Sequence, residues 1–303
     1  MSIPPPADIS RVVYLGTPAL AVPPLLALHE AGYSIPLVIS RPDARRGRGK
    51  EFTASPVKAA ARELGLPVTD DLATLVDIDA DLAVVVAYGR IIPSALLAQL
   101  AFVNIHFSLL PRWRGAAPVE RAILAGDSHT GVCLMALDQE LDTGAVYRRT
   151  GVEIDPDENL EDLRGRLVEI GTHQLVDALA GGLGEPIAQE GEPVYAKKIT
   201  SADRELDWTD DANEIHRRVR VGGAFTSFRG KRFKIHRTSR TERGADLPPG
   251  GFDGLCVGTG AGALELAEVQ AEGKPRQNAA DWRNGAQPTS DDRLGRCPTI
   301  PAA

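Results

Sequence analysis

At 303 residues, the chain has room for two folded domains of roughly 100–200 residues each, and 43% hydrophobic with 25% charged residues excludes a disordered or fibrous chain. A formal net charge of −7 weighs against a nucleic-acid partner when taken over the whole chain, because phosphate binding needs Lys and Arg. No stretch reaches the ~18 apolar residues of a membrane span, and the start at Met1 lacks the basic-then-apolar order of a secretory signal. Cys133, Cys256 and Cys297 are too widely spaced for a disulfide framework or a paired-cysteine metal site, so the expectation is no membrane, no metal and a reducing cytoplasm.

In chain order, Arg11 to Gly16 is a short apolar run closed by glycine, and Pro23 to Ala31 spaces Leu25, Leu26 and Leu28 along one helical face. Gly16-Thr17-Pro18 lacks the later glycines of a dinucleotide fingerprint, which argues against a nicotinamide cofactor. Ile35 to Ile39 reads as the next strand. Ser55 reads as an N-cap with Pro56 at the first helical position and a helix through Leu64. Asp81 to Tyr88 is continuously apolar at its centre, as a strand covered on both faces should be. Pro93 to Leu100 supplies a helix, Phe102 to Phe107 a strand, Val132 to Leu137 another strand and Leu160 to Leu179 a long helix. This alternation implies a doubly wound, mainly parallel α/β sheet of Rossmann-like type with ligands at the carboxyl ends of its strands.

The glycines at 181, 182 and 184 mark an exit, giving a first domain over 1–187, a linker over 188–206 and a second domain over 207–303. From Asp207 onward short runs such as Arg232 to His236 and Leu264 to Val269 alternate with glycine and proline, the texture of a small β-barrel. Gly258 to Gly262 reads as a hairpin turn, and the residues from Asp292 onward as a tail. Charge is segregated as well: Asn213 to Arg243 holds ten basic residues against Glu214 and Glu242. Such a segment meets a polyanion or forms a solvated face, and charge alone does not separate the two.

Asn104 and His106 are two apart on the strand that begins at Phe102, so they share one face at its carboxyl end. Alone, that pair would also suit a core asparagine and histidine bonded to backbone. Leu141-Asp142-Thr143-Gly144 alone is an ordinary turn. Ser108-Leu109-Leu110-Pro111 followed by Arg112-Trp113-Arg114-Gly115-Ala116-Ala117-Pro118, however, closely resembles the signature of the folate-dependent formyltransferase family, in the form carried by its tRNA-directed members. Gly16-Thr17-Pro18, Arg41-Pro42-Asp43 with Gly47-Arg48-Gly49-Lys50, Ser55-Pro56-Val57-Lys58, Val84 to Gly89, Leu141 to Gly144, Tyr195 to Ile199 and Asp207-Trp208 follow in that family's order.

The resemblance implies a formyl transfer from 10-formyltetrahydrofolate to the amino group of methionyl-initiator tRNA, without metal and with no obligatory protein partner. It implies that Asn104, His106 and Asp142 form the catalytic group. It also implies that Ser108, Leu109, Leu110 and Pro111 line the folate pocket, although Leu109 and Leu110 suit a core equally well. An OB-like β-barrel follows in that family, and Arg229, Lys231, Arg232 and Lys234 would face tRNA there. Arg48 and Lys50 would reach it from the loop Arg41 to Lys50. The chemistry is consistent: attack on an amide-like formyl group develops negative charge on oxygen, for which the Asn104 amide is a donor. Histidine is the side-chain type that moves protons near neutral pH, and Asp142 would hold its tautomer and stabilise the imidazolium. Two departures stand out, Val221-Gly222-Gly223-Ala224-Phe225, where relatives carry proline and tryptophan, and Glu120 in place of a common glutamine. Relatives that formylate a ribonucleotide amine or an amino sugar, relatives that only hydrolyse the donor, and a catalytically silent RNA-binding protein remain alternatives.

Overall fold

The computed structural model describes residues 3–45, 52–289 and 291–295, and these form two compact units. The first comprises Met1–Val119, His129–Glu153 and Leu163–Lys197; the second comprises Glu120–Ser128, Ile154–Asp162 and Lys198–Ala303. The partition is therefore not contiguous along the chain.

In the first unit, β1 (Val12–Gly16) leads through α1 (Val22–Glu30) to β2 (Val38–Ile39), and α2 (Pro56–Glu63) leads to β3 (Val68–Thr69). β4 (Leu82–Val86) is followed by the single turn α3 (Ser94–Leu97), which is shorter than the sequence suggested, and by β5 (Phe102–His106). After α4 (Pro118–Ala125) come β6 (His129–Ala136), β7 (Val146–Glu153) and α5 (Leu160–Ala180). The sheet order is β7-β6-β5-β4-β1-β2-β3, parallel from β5 to β3 and antiparallel at β6 and β7. Every residue of β4 is buried, as its unbroken apolar run requires. Ser55 caps α2, its side chain accepting from the Lys58 N–H at 3.0 Å, with Pro56 at the position that needs no N–H.

Residues 182 to 196, read from sequence largely as linker, are bonded into this unit. Arg148 donates to the carbonyls of Leu183 and Gly182, Ile187 bridges Val146, and Tyr195–Ala196 pairs in parallel with Arg114–Gly115. Elsewhere, Ala44–Arg45 and Phe52–Thr53 pair antiparallel, and Asp43 accepts from the Lys58 ammonium at 2.7 Å.

The second unit carries an antiparallel sheet. Along its main path the strands are β8 (Phe225–Phe228), β9 (Lys231–Thr241), β10 (Phe252–Asp253), β11 (Cys256–Gly258), β12 (Ala263–Ala271) and β13 (Leu294–Gly295), in the order β10-β11-β12-β9-β8-β13, and Gln277–Asn278 pairs with β12 off this path. The Leu294 N–H donates to Gly250 O at 2.9 Å and Gly251 bridges Arg293, which returns the last strand to the segment entering β10. A Cβ on Gly250 would lie 2.1 Å from Leu294 O, so that closure needs glycine. Leu294 and Gly295 are thus a strand with Leu294 buried, and the expected tail is corrected for these residues because pairing with β8 shields their backbone, while the rest of the expected tail, 296–303, lies outside the described residues. Residues 258 to 262 are the expected hairpin, Gly258 standing opposite Ala263. α6 (Ala212–Val221), capped by Asp211, and α7 (Ala279–Ala286) complete the unit. Its core gathers Trp208, Phe228, Phe233 and Trp282, with Phe233 and Trp282 centroids 4.7 Å apart.

Candidate active site

Strand alternation puts Asn104 and His106 on one face of β5, with Asn104 opposite Val85 and Met135 and His106 opposite Cys133. His106 is 5% exposed, and its Nε2 lies 2.9 Å from the carbonyl oxygen of Trp113. A carbonyl only accepts, so Nε2 carries the hydrogen and donates it. Nδ1 faces Asp142 Oδ2 at 3.6 Å, within ion-pair range and beyond a good hydrogen bond. The role expected of Asp142 is therefore divided: the Trp113 carbonyl sets the tautomer, and the Asp142 carboxylate faces the nitrogen that would gain charge. Asn104 is half-buried, and among the described residues its amide has no hydrogen-bond partner.

Asp142 reaches this position through an uncommon backbone, with φ at 55°. Two residues on, a Cβ at Gly144 would fall 1.8 Å from Ala136 O, so the turn passes β6 only because position 144 is glycine. The Asp142 carboxylate accepts from the Gly115 N–H at 2.7 Å. Gly115 has φ at 118°, and its Cα packs where a Cβ would lie 2.9 Å from Ala196 O. The Arg114 N–H donates to Val194 O and the Ala116 N–H to Ala196 O, so the pairing with residues 194 to 196 fixes the segment that holds both catalytic candidates. Trp113, also at positive φ (65°), lies under the Arg112 guanidinium at 4.4 Å. In the sequence this segment stands out only by its resemblance; that its backbone atoms hold the site is visible in the fold alone.

Of the expected folate-lining residues, Ser108 is fully buried and donates its hydroxyl to Arg112 O at 2.6 Å. Leu110 is buried with Cys133, Met135 and Val146. Leu109 rests over the paired Gly131 and Gly151, where a Cβ at Gly131 would come within 2.5 Å of it, and Pro111 is half-buried. Ser108 and Leu110 thus lie inside the fold. Exposed apolar side chains include Ile91, 83% exposed on the loop leaving β4, and Leu141, 60% exposed beside Asp142. Neither was given a role from sequence, although Leu141 opens the Leu141-Asp142-Thr143-Gly144 motif.

The expected tRNA contacts fare unequally. Arg48 and Lys50 lie outside the described residues. Arg229 grips Asp292, with Nη2–Oδ2 at 2.7 Å and Nε–Oδ1 at 2.8 Å, and also donates to Ala286 O; the guanidinium holds the Asp292 carboxyl below the usual carboxylate range. The side chains of Lys231, Arg232 and Lys234 form no ion pair among the described residues, and Arg232 stacks 3.6 Å above the Phe225 ring. Other cations of the basic segment have internal partners. Arg218 meets Asp210 and Glu214, Arg220 meets the carbonyls of Asp155 and Glu158, Arg240 meets Asp157, and Arg243 meets Asp253. Among the described residues no group of three or more His, Cys, Asp or Glu side chains is placed to hold a metal ion.

The Formyl transferase family model matches residues 10–179 and the Formyl transferase, C-terminal domain model matches residues 198–287. The chain is 42% identical to the methionyl-tRNA formyltransferase of Paenarthrobacter aurescens, over 91% of this chain and 96% of that one. It is 44% identical to that of Leifsonia xyli, over 91% and 97%. Among solved structures, the N-formyltransferase from Helicobacter canadensis in complex with folinic acid and dTDP-3-aminofucose shares the fold at a TM-score of 0.63 and 16% identity, covering 85% of this chain and 99% of that one.

Proposed function

The chain belongs to the methionyl-tRNA formyltransferase family, and on that premise we propose that it transfers a formyl group from 10-formyltetrahydrofolate to the amino group of methionyl-initiator tRNA, using Asn104, His106 and Asp142. The observation that carries the assignment is the histidine's polarity: Nε2–H is committed to the Trp113 carbonyl, and Nδ1 is left facing a carboxylate.

The residues present suit a folate donor. Ile91 and Leu141 offer open apolar surface beside Asp142 and at the carboxyl end of β4, adjacent to β5, while Leu109 backs the neighbouring strands. The donor, when bound, supplies an amide-like formyl group. As the amine adds, charge grows on the formyl oxygen, and the Asn104 amide, without a partner among the described residues, is the donor that meets it. His106 takes up the amine proton at Nδ1, because Nε2 already carries one. Asp142, 3.6 Å away, stabilises the cation so formed, its carboxylate held by the Gly115 N–H. The same Nδ1 proton is then available for the departing folate nitrogen. Gly115 and Trp113 thereby act through their backbone atoms, which substitution of side chains elsewhere on the segment would disturb only indirectly.

The test is a formylation assay with 10-formyltetrahydrofolate and, in parallel, methionyl-tRNA, free methionine and a nucleotide-linked amino sugar. Product on methionyl-tRNA alone is expected. Formylation of the amino sugar with methionyl-tRNA untouched would reassign the acceptor, and hydrolysis of the donor without transfer would remove the transferase assignment.

A further inference from the structure

The segment joining the two matched regions carries one side chain whose hydrogen-bonding capacity is filled by the site. Gln189 Nε2 donates to Asp142 O and Gly144 O, both at 2.8 Å, and its Oε1 accepts from Arg114 Nε at 3.0 Å and Nη2 at 2.7 Å. A primary amide has two N–H donors and two acceptor lone pairs, so all four are used. Its orientation is unambiguous, since the reverse would set oxygen against two carbonyls and an NH2 group against a guanidinium. Ile187, paired with Val146, fixes the chain two residues upstream.

We propose that Gln189 is a positioning residue for Asp142. The inference rests on the assignment of Asp142 made above. Gln189 holds Asp142 from two directions. It binds the carbonyls of the turn whose residue 142 has a left-handed backbone, a conformation that a non-glycine residue keeps only when its surroundings impose it. Through Arg114 it also holds the residue next to Gly115, the N–H that fixes the Asp142 carboxylate. Loss of the amide leaves the Asp142 backbone free to relax and its Oδ2 free to leave His106 Nδ1, and small displacements of an orienting group carry large costs in turnover. Gln189 bonds to Asp142, Gly144 and Arg114 and not to the imidazole, so its effect passes through Asp142.

Two variants separate positioning from packing. Gln189→Glu keeps the size and the Arg114 partner but turns a carboxylate toward two carbonyls; Gln189→Leu removes every hydrogen bond at similar volume. With methionyl-tRNA and 10-formyltetrahydrofolate, both are expected to lower kcat by about tenfold to a hundredfold while KM for each substrate stays within about twofold. In an Asp142→Ala background, Gln189→Leu should cost less than about twofold more, because the group it positions is gone. Turnover within about twofold of the parent in both single variants, or a loss that multiplies with that of Asp142→Ala, overturns the proposal. If Asp142→Ala itself turns over like the parent, the catalytic assignment and this inference fall together. An inactive Asp142→Ala beside fully active Gln189 variants removes the inference alone.

Discussion

In the first unit two polar side chains, His106 and Asp142, meet because backbone atoms of another segment hold them, whereas in the second unit a larger set of charged side chains disperses because most find acidic or carbonyl partners of their own. His106 and Asp142 are fixed by the carbonyl of Trp113 and the N–H of Gly115, groups that every non-proline residue possesses. The basic segment from Asn213 to Arg243 looks like a polyanion surface in sequence, yet Arg218, Arg220, Arg229, Arg240 and Arg243 all bond within the second unit. A count of charges overstates a binding face when the same arginines cross-link the fold, and a motif understates a site when backbone does the holding.

The largest expected effect tests the first half of that comparison. His106→Ala, Asn104→Ala and Asp142→Ala should each lower kcat by on the order of a hundredfold or more, as removal of oxyanion donors and histidine partners does elsewhere, with the fold intact by circular dichroism. A His106→Ala enzyme within severalfold of the parent would dissolve the site as drawn.

Splitting the basic segment sharpens the second half. Joint replacement of Lys231, Arg232 and Lys234 by alanine should weaken tRNA binding and reduce the slope of log K against log salt by about 0.7–0.9 for each phosphate no longer neutralised, with the melting temperature little changed. Arg229→Ala should do the reverse, lowering the melting temperature while the salt slope stays, because its partner is Asp292. Identical behaviour of the two variants in both measurements would erase the distinction between a binding cation and a structural one.

The smallest effect concerns a clamp inside the second unit. Arg121 pairs in bidentate fashion with Asp203, and that hydrogen-bonded guanidinium, with the Thr200 N–H and hydroxyl, lowers the Asp203 carboxyl to about 2. A depressed carboxylate contributes stability above its unfolded value near 3.9 and loses it as pH falls toward 2. Arg121→Met should therefore cost on the order of 1 kcal/mol at pH 7 in urea unfolding, and the gap should close between pH 4 and pH 2. A gap that persists at pH 2 would assign the loss to packing.

Much of the architecture was legible because it depends on local pattern. The apolar run of β4, the Ser55-Pro56 helix start and the hairpin after β11 follow from periodicity, capping and turn chemistry. The Asn104 and His106 pair was legible from strand alternation together with the resemblance of Ser108 to Pro118. Short strands such as β3 and β13 were not, since two residues carry no period and owe their pairing to neighbours distant in the chain.

By itself, then, the sequence determined the alternating elements, the family signature and the shared face of Asn104 and His106, all of which are properties of residues near one another along the chain, while Asp142 entered only through the resemblance. The tertiary structure decided which nitrogen of His106 bears hydrogen, that Ser108 and Leu110 face inward, that Arg229 serves Asp292, and that Gln189 reaches the Asp142 turn. Each of these depends on a hydrogen bond or contact between segments that only folding brings together, and on backbone carbonyls and N–H groups that look the same at every position of a sequence.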